Sequence, residues 1–294
     1  MAGRFGAVVT AMVTPFRDDG SLDLEGAQEL ARHLLERGSD ALVVAGSTGE
    51  SPTLTHEEKA ALFRAVVEAA EGRGKVVCGT GTYSTAESIE LSRAAQEAGA
   101  DGLLVVAPYY NKPPQRGLLQ HFRRIADSTD LPIIAYNIPG RTAVRIEHDT
   151  LLAMAEVPNI VAVKDSTGDF QAVSRLISEA PADFEVYSGD DWATFGYMCL
   201  GAVGVVSVAS HVVGGRIKQM TDLVASGDVP AARKIHEELS PLFVALFITT
   251  NPIPVKAAVD MLGLPAGAPR LPLVPATDEE RARIRKALED AGAL

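Results

Sequence analysis

Residues 132–164, PIIAYNIPGRTAVRIEHDTLLAMAEVPNIVAVK, carry the pattern on which the fold turns. An apolar run at 132–136 ends on Tyr136. A segment at 149–155 spaces its apolar residues as a helix does, and a second apolar run at 160–164 ends on Lys164. Continuous Val- and Ile-rich runs of this length suit strands buried on both faces, as in a parallel sheet, and the helix between them is the crossover that such a sheet requires.

The same unit recurs on either side. Apolar runs at 7–13, 41–45, 75–79, 102–107, 185–188 and 203–208 bring the set to eight, and helical spacing at 24–37, 56–71, 86–98, 117–128, 170–179, 192–200 and 212–225 fills the intervals. Thr55 with Glu58 reads as a capping box, and Gly38 and Gly99 fall where a helix should stop. Eight strand–helix units in strict alternation predict an α/β fold, a (β/α)8 TIM barrel. A doubly wound open sheet is the main competitor. It would carry a Gly-rich fingerprint after its first strand, and residues 11–16 contain no glycine. From about residue 227 the alternation stops, and 229–239, 241–248, 254–262 and 278–291 read as helices separated by Pro- and Gly-containing turns. The expected organisation is a catalytic barrel over 1–227 and a C-terminal helical appendage over 228–294.

Composition narrows the function classes. A formal net charge of −11, with no run of Lys or Arg, argues against nucleic acid and against an anionic membrane surface, both of which demand a basic footprint. A small anionic substrate remains compatible, since a few local cations dominate one pocket. Residues 1–5 carry no signal-peptide pattern, and the apolar stretch at 242–248 is far below the ~20 residues that span a bilayer, so a cytoplasmic protein is expected. Cys78 and Cys199 lie in apolar segments without C-x-x-C spacing and read as buried free thiols of a reducing compartment. The histidines show no metal-binding spacing and read as structural. Ser188-Gly189-Asp190-Asp191 lacks the further ligands a metal needs, and such an aspartate more often caps the next helix.

Catalytic groups of a barrel sit at the C-terminal ends of its strands. Lys164 is unusual there, because an ammonium loses hydration that apolar neighbours do not replace, and a neutral amine is the nucleophile that attacks a ketone. A structural lysine paired with Asp165 is the alternative. Tyr136 suits proton transfer to a carbinolamine, or equally a core aromatic; Arg141 suits a carboxylate, or a solvated loop. Gly46-Ser47-Thr48-Gly49-Glu50-Ser51 offers hydroxyls and amide donors between glycines and is not a hydrolase elbow. Tyr109-Tyr110 follows the fourth run, where two tyrosines in a Pro-rich loop serve a site or simply pack. A barrel binding phosphorylated sugars would present a Gly-rich loop after strands seven and eight, where this chain places Asp190 and Asp191.

Taken together, segments 46–52, 107–113, 136–142, 164–168, 188–191 and 251–256 resemble the dihydrodipicolinate synthases, within the pyruvate-dependent class I aldolase superfamily that also holds N-acetylneuraminate lyase. The resemblance runs through nearly the whole chain. It implies a lyase of lysine and diaminopimelate biosynthesis that condenses pyruvate with L-aspartate 4-semialdehyde to 4-hydroxy-tetrahydrodipicolinate, without metal or cofactor. Lys164 is then the Schiff-base lysine, and Tyr136, Ser47 and Tyr110 form a hydroxyl relay to which Tyr110 comes across a dimer interface, with Tyr109 at the same interface. Thr48 holds the pyruvate carboxylate, Gly189 and Val206 line the pocket, and Arg141 binds the second substrate's carboxylate. A homotetramer, a dimer of dimers, is the family habit.

The chain departs from that pattern in two places. The synthases usually carry threonine at the position of Ser47, and a serine there is commoner in sialic acid lyases and sugar-acid aldolases; Arg141 speaks for the synthases. A second set, matching the residues near which many synthases bind lysine, reads Ser51, Pro52, His56, Lys59, Tyr83, Glu87 and Tyr109. Lysine-sensitive members tend to have histidine in place of Lys59 and asparagine in place of Tyr83. A cation at position 59 disfavours a cationic effector, so weak or absent feedback by lysine is expected.

Overall fold

The computed structural model describes residues 3–294. Met1 and Ala2, which open the span read for the barrel and the residues tested for a signal peptide, lie outside the described residues. Strands β1 (Val8–Ala11), β2 (Ala41–Val44), β3 (Lys75–Gly79), β4 (Gly102–Val106), β5 (Ile133–Asn137), β6 (Ile160–Asp165), β7 (Glu185–Ser188) and β8 (Gly204–Ser207) pair in parallel and in chain order. β8 returns to β1 through Val8, Val9 and Thr10 against Val205, Val206 and Ser207, so the sheet closes.

Helices fill the crossovers: α1 (Leu24–Glu36), α2 (His56–Ala70), α3 (Thr85–Glu97), α4 (Gln115–Ala126), a single turn α5 (Pro139–Thr142) ahead of α6 (His148–Ala155), α7 (Phe170–Glu179) and α8 (Thr194–Cys199). After β8 come α9 (Ser210–Ser226), α10 (Val229–Ala245), α11 (Ile253–Met261) and α12 (Asp278–Asp290). Each barrel helix turns one apolar stripe to the sheet; α1, for instance, buries Ala27, Leu30, Ala31 and Leu34. The local signals act as read: Thr55 and Glu58 cap α2 reciprocally, and Gly38 and Gly99 follow α1 and α3 with φ of 108° and 84°, which a side chain would resist.

Two buried layers result. Outward-facing strand residues join the helices, while Phe5, Val9, Val43, Val77, Leu104, Ile134, Tyr136, Tyr187 and Val206 pack within the barrel. β6 breaks the simple alternation. Ile133 pairs with Ile160 but Ile134 pairs with Ala162, so one residue is inserted and Val161 and Ala162 both join the inner cluster. Such a bulge shifts the phase of everything after it. Counted from outward-facing Ile160, strict alternation would turn Lys164 outward; the inserted residue turns it into the barrel.

Three expectations change. Residues 229–239 and 241–248, read as two helices, are largely one: α10 runs through Pro241. Pro241 and Glu237, whose carbonyl it leaves without a helical partner, both lie on the exposed face, while Leu239, Leu242 and Phe243 are buried and hold the helix in line. Cys78 is buried, but Cys199, expected inside, is exposed at the last turn of α8. Asp191 does not cap the helix that follows it. Its carboxylate accepts from Ser207 Oγ and from the amides of Val208 and Ala209, tying the loop after β7 to the loop after β8.

Leu239, Val255, Ala258 and Leu288 belong to the same buried cluster as Leu30 and Ile217. Among the described residues, no helix is long and apolar enough to cross a membrane. Because Ile134 is fully buried inside the barrel, Ile134→Ala should lower stability by about 2–5 kcal/mol. Thr55→Ala, which removes only the cap, should cost about 1 kcal/mol. Urea unfolding of both variants checks the ratio; equal costs would contradict the packing described.

Candidate active site

A cavity of about 300 Å³ opens at the C-terminal ends of β2 to β5. Ala45, Gly46, Ser47 and Glu50 form one wall, Tyr136, Ile138 and Arg141 another, and Tyr109, Asn251, Pro272 and Leu273 contribute from more distant segments. Lys164 does not itself line the cavity; it lies inside the barrel against Tyr136, which does. It is 5% exposed, it is the register partner of Tyr136 on one side and Tyr187 on the other, and its Nζ stands 4.1 Å from the centre of the Tyr136 ring.

The pairing with Asp165 allowed by the sequence does not form. Asp165 points away from the barrel interior, where it accepts from Thr167, from Tyr197 Oη at 3.1 Å and from Asn137 Nδ2 at 3.3 Å. Burial raises its carboxyl above the usual range despite these hydrogen bonds. Among the described residues no carboxylate lies within 4.0 Å of Lys164 Nζ. Gly189 closes on the lysine from β7: a Cβ there would fall 2.0 Å from Ser166 Oγ and 3.0 Å from Lys164 Cε, so only glycine admits this approach. Val206 is buried on the inner face of β8.

The loop 46–51 brings the other expected groups. Ser47 faces the cavity. Thr48 is buried behind it, and its Oγ1 accepts from Asn251 Nδ2 at 2.9 Å. Arg141, on the single turn α5, donates from Nη2 to the Asn251 carbonyl at 3.0 Å and borders the cavity with an exposed side chain. Tyr109 borders it too. Tyr110 does not: it is 92% exposed and carries a φ of 72°, so the single chain leaves this expected relay member outside its own site.

The second expected set also gathers. His56 Nε2 lies 2.8 Å from Glu87 Oε1, Thr82 donates to Glu87 Oε2, and Tyr83 meets Tyr109 edge-on with ring centres 5.3 Å apart. Burial pushes Glu87 up, but the hydrogen bonds from His56 and Thr82 outweigh it and hold the carboxyl below its ordinary value. Lys59 is 4% exposed beside this group, and burial lowers its ammonium against the opposing pull of Glu87. Ser51 and Pro52 border both this cluster's segment and the cavity.

Sequence reasoning assigned no role to Glu50, Asn251, Lys256 and Arg270. Lys256 Nζ meets Glu50 Oε1 at 2.8 Å with both side chains essentially inaccessible, and Arg270 grips Glu58 of α2 at 2.6 Å. A lysine in the apolar segment 252–259 is the same kind of signal as Lys164 in its strand. The two differ in their partners: Lys256 also donates to Thr14 O and Ala268 O, which uses all three of its protons.

A sequence profile of the dihydrodipicolinate synthetase family matches residues 4–291. The 4-hydroxy-tetrahydrodipicolinate synthase of Moorella thermoacetica is 56% identical over 99% of this chain and 100% of its own length. A lysine-bound dihydrodipicolinate synthase of Cyanidioschyzon merolae superposes with a TM-score of 0.98 at 46% identity, covering 99% of this chain and 100% of that one. A chloride-inhibited synthase of Acinetobacter baumannii complexed with pyruvate superposes with a TM-score of 0.96 at 39% identity, over 99% and 100% of the two chains. The chain belongs to the dihydrodipicolinate synthetase family.

Proposed function

We propose that this protein condenses pyruvate with L-aspartate 4-semialdehyde through a Schiff base on Lys164, yielding 4-hydroxy-tetrahydrodipicolinate. The observation that carries this reading is the lysine itself: buried inside a barrel, without an ionic partner among the described residues, its Nζ over the Tyr136 ring. No ion pair or hydrogen bond to the rest of the described chain ties this nitrogen down, so it is free to reach a ketone carbon. Its Nζ attacks the ketone carbon of pyruvate and the ketone oxygen leaves as water. The protonated imine then draws electrons from the methyl group, which loses a proton, and the resulting enamine attacks the aldehyde carbon, whose oxygen takes a proton and becomes the 4-hydroxyl. The semialdehyde's amino group next adds to the re-formed imine carbon and expels Lys164 Nζ, which closes the ring and frees the lysine. Tyr136 and Ser47 move the protons within one chain, with Tyr110 supplied by a neighbouring subunit. Its exposure supports that last assignment, because an aromatic side chain 92% exposed on a left-handed backbone has no packing role in its own subunit.

Gly189 and Val206 close the pocket around pyruvate, Thr48 and its loop receive the pyruvate carboxylate, and Arg141 receives that of the semialdehyde. The proposed assembly is a homotetramer of two dimers, working in the cytoplasm on small molecules. The chemistry needs no cofactor, because the imine nitrogen is its own electron sink. Barrel over 1–227 and appendage over 228–294 remain the proposed division, the appendage lending Asn251 to the site.

Ser47 favours the second reading, a lyase or dehydratase of a sugar acid that uses the same lysine. The cavity weighs against it. Ala45, Leu104, Val106, Ile138, Pro272 and Leu273 make much of its lining apolar, and Arg141 at its border suits a second carboxylate better than a neutral polyol chain.

Borohydride added with pyruvate should trap a reduced adduct on Lys164, located by peptide mass, and Lys164→Ala should lose both the adduct and semialdehyde turnover. A trapped adduct with turnover of N-acetylneuraminate or 2-keto-3-deoxygluconate, but not of the semialdehyde, would move the assignment to the sugar acids. Arg141→Ala should raise the KM for the semialdehyde by roughly 10- to 150-fold, the worth of a charged hydrogen-bonded pair, while pyruvate KM stays near wild type. The buried cation of Lys59 in the His56–Glu87 cluster should leave the purified enzyme uninhibited by sub-millimolar lysine, and half-inhibition in that range would refute the expectation.

A further inference from the structure

We infer that Glu50 and Lys256 are positioning residues for the catalytic loop, a buried clamp through which the C-terminal helices set Ser47 and Thr48. The inference rests on the roles proposed above for that loop. Glu50 lies three residues beyond Ser47, borders the cavity with its main chain turned left-handed at φ 56°, and is 2% exposed. A glutamate gains nothing locally from that conformation, so something beyond the loop holds it. Its two carboxylate oxygens are both taken from outside: Oε1 by Lys256 Nζ of α11 at 2.8 Å, and Oε2 by the Arg270 amide at 2.8 Å.

The backbone passes this anchoring to the site. Glu50 N donates to Ser47 O at 3.2 Å, Ser51 N donates to Gly46 O at 3.2 Å, and Thr14 Oγ1 donates to Gly49 O at 2.7 Å. Lys256 reaches the same Thr14 through its carbonyl at 3.0 Å and stands 4.4 Å from the centre of the Phe16 ring. The loop that carries Ser47 and Thr48 is therefore fastened to α11 and to Arg270, more than 200 residues away in sequence. Lys256, with every proton engaged, is no competitor of Lys164 for a ketone; its charge holds geometry.

Two variants separate positioning from mere stability. Glu50→Gln keeps the shape and leaves Lys256 its two carbonyl acceptors; Glu50→Gln with Lys256→Met removes both charges together, so no unpaired charge stays buried. The expected result is a folded protein in which pyruvate KM rises by about 10-fold or more and borohydride trapping at Lys164 slows, as a misplaced site demands. Amide hydrogen exchange at residues 46–51 should accelerate while exchange in β6 does not. Wild-type KM and trapping in a variant of normal thermal midpoint would overturn the proposal, as would unchanged exchange at 46–51. Should either variant fail to fold, Glu50→Asp, which keeps the charge and withdraws it by one methylene, faces the same two outcomes. If wild-type protein forms no adduct with pyruvate, the functional reading fails instead, and hydrogen exchange alone still decides whether the clamp holds the loop.

Discussion

Closing eight parallel strands on themselves leaves each strand side chain two directions, into the barrel or out toward the helices. The closure depends on the pairing of β8 with β1, where Val205, Val206 and Ser207 meet Val8, Val9 and Thr10. With no sheet edge left, every strand is buried on both faces, which is why the runs read as continuously apolar rather than alternating. The inner face is narrow, and Val, Leu, Ile and Tyr side chains fill it from Phe5 and Tyr187 upward. Whatever stands at the upper end of that column is dry below and open above. Tyr136 and Lys164 stand there, neighbours in register on β5 and β6.

Charge placement follows from the same dryness. Three buried charges elsewhere in the molecule are well supplied with partners: Lys256 by Glu50 and two carbonyls, Asp165 by Thr167, Asn137 and Tyr197, Asp191 by Ser207 and two amides. Burial still raises Asp191 to about 6, a measure of how far three hydrogen bonds fall short of water. His211 is pushed down to about 4 by burial, and its ring nitrogens serve Val208 O and the Val13 amide. Lys164 and Lys59 are the buried lysines that have neither ion pair nor side-chain hydrogen bond among the described residues. Lys59 has the Glu87 carboxylate near enough to oppose its burial, whereas Lys164 has the Tyr136 ring at the border of the cavity.

Much of this was legible in the chain. The period of the apolar runs, the capping box at Thr55 and Glu58, and the glycines at 38 and 99 each state a local preference, and local preferences survive tertiary packing when they agree with it. Pro241 misled because a proline breaks a helix only where the lost hydrogen bond matters, and an exposed carbonyl is satisfied by solvent. Cys199 misled because an apolar segment does not say which of its faces is covered. Glu50 and Lys256 gave no hint of one another, since nothing local relates residues so far apart.

The sequence by itself determined the fold class, the number of strand–helix units and the identity of the unusual lysine, because these are written in residue type and short-range spacing. Tertiary structure decided where that lysine points. Periodicity counted from Ile160 sends Lys164 outward, and the residue inserted opposite Ile133 and Ile134 turns it inward. A bulge belongs to the ladder between two strands, so neither strand's sequence specifies it alone. The return of Asn251, Lys256 and Arg270 to the loop at 46–51 was likewise decided by packing, because long-range contacts are made only when the closed barrel brings the last helices back over its first strands.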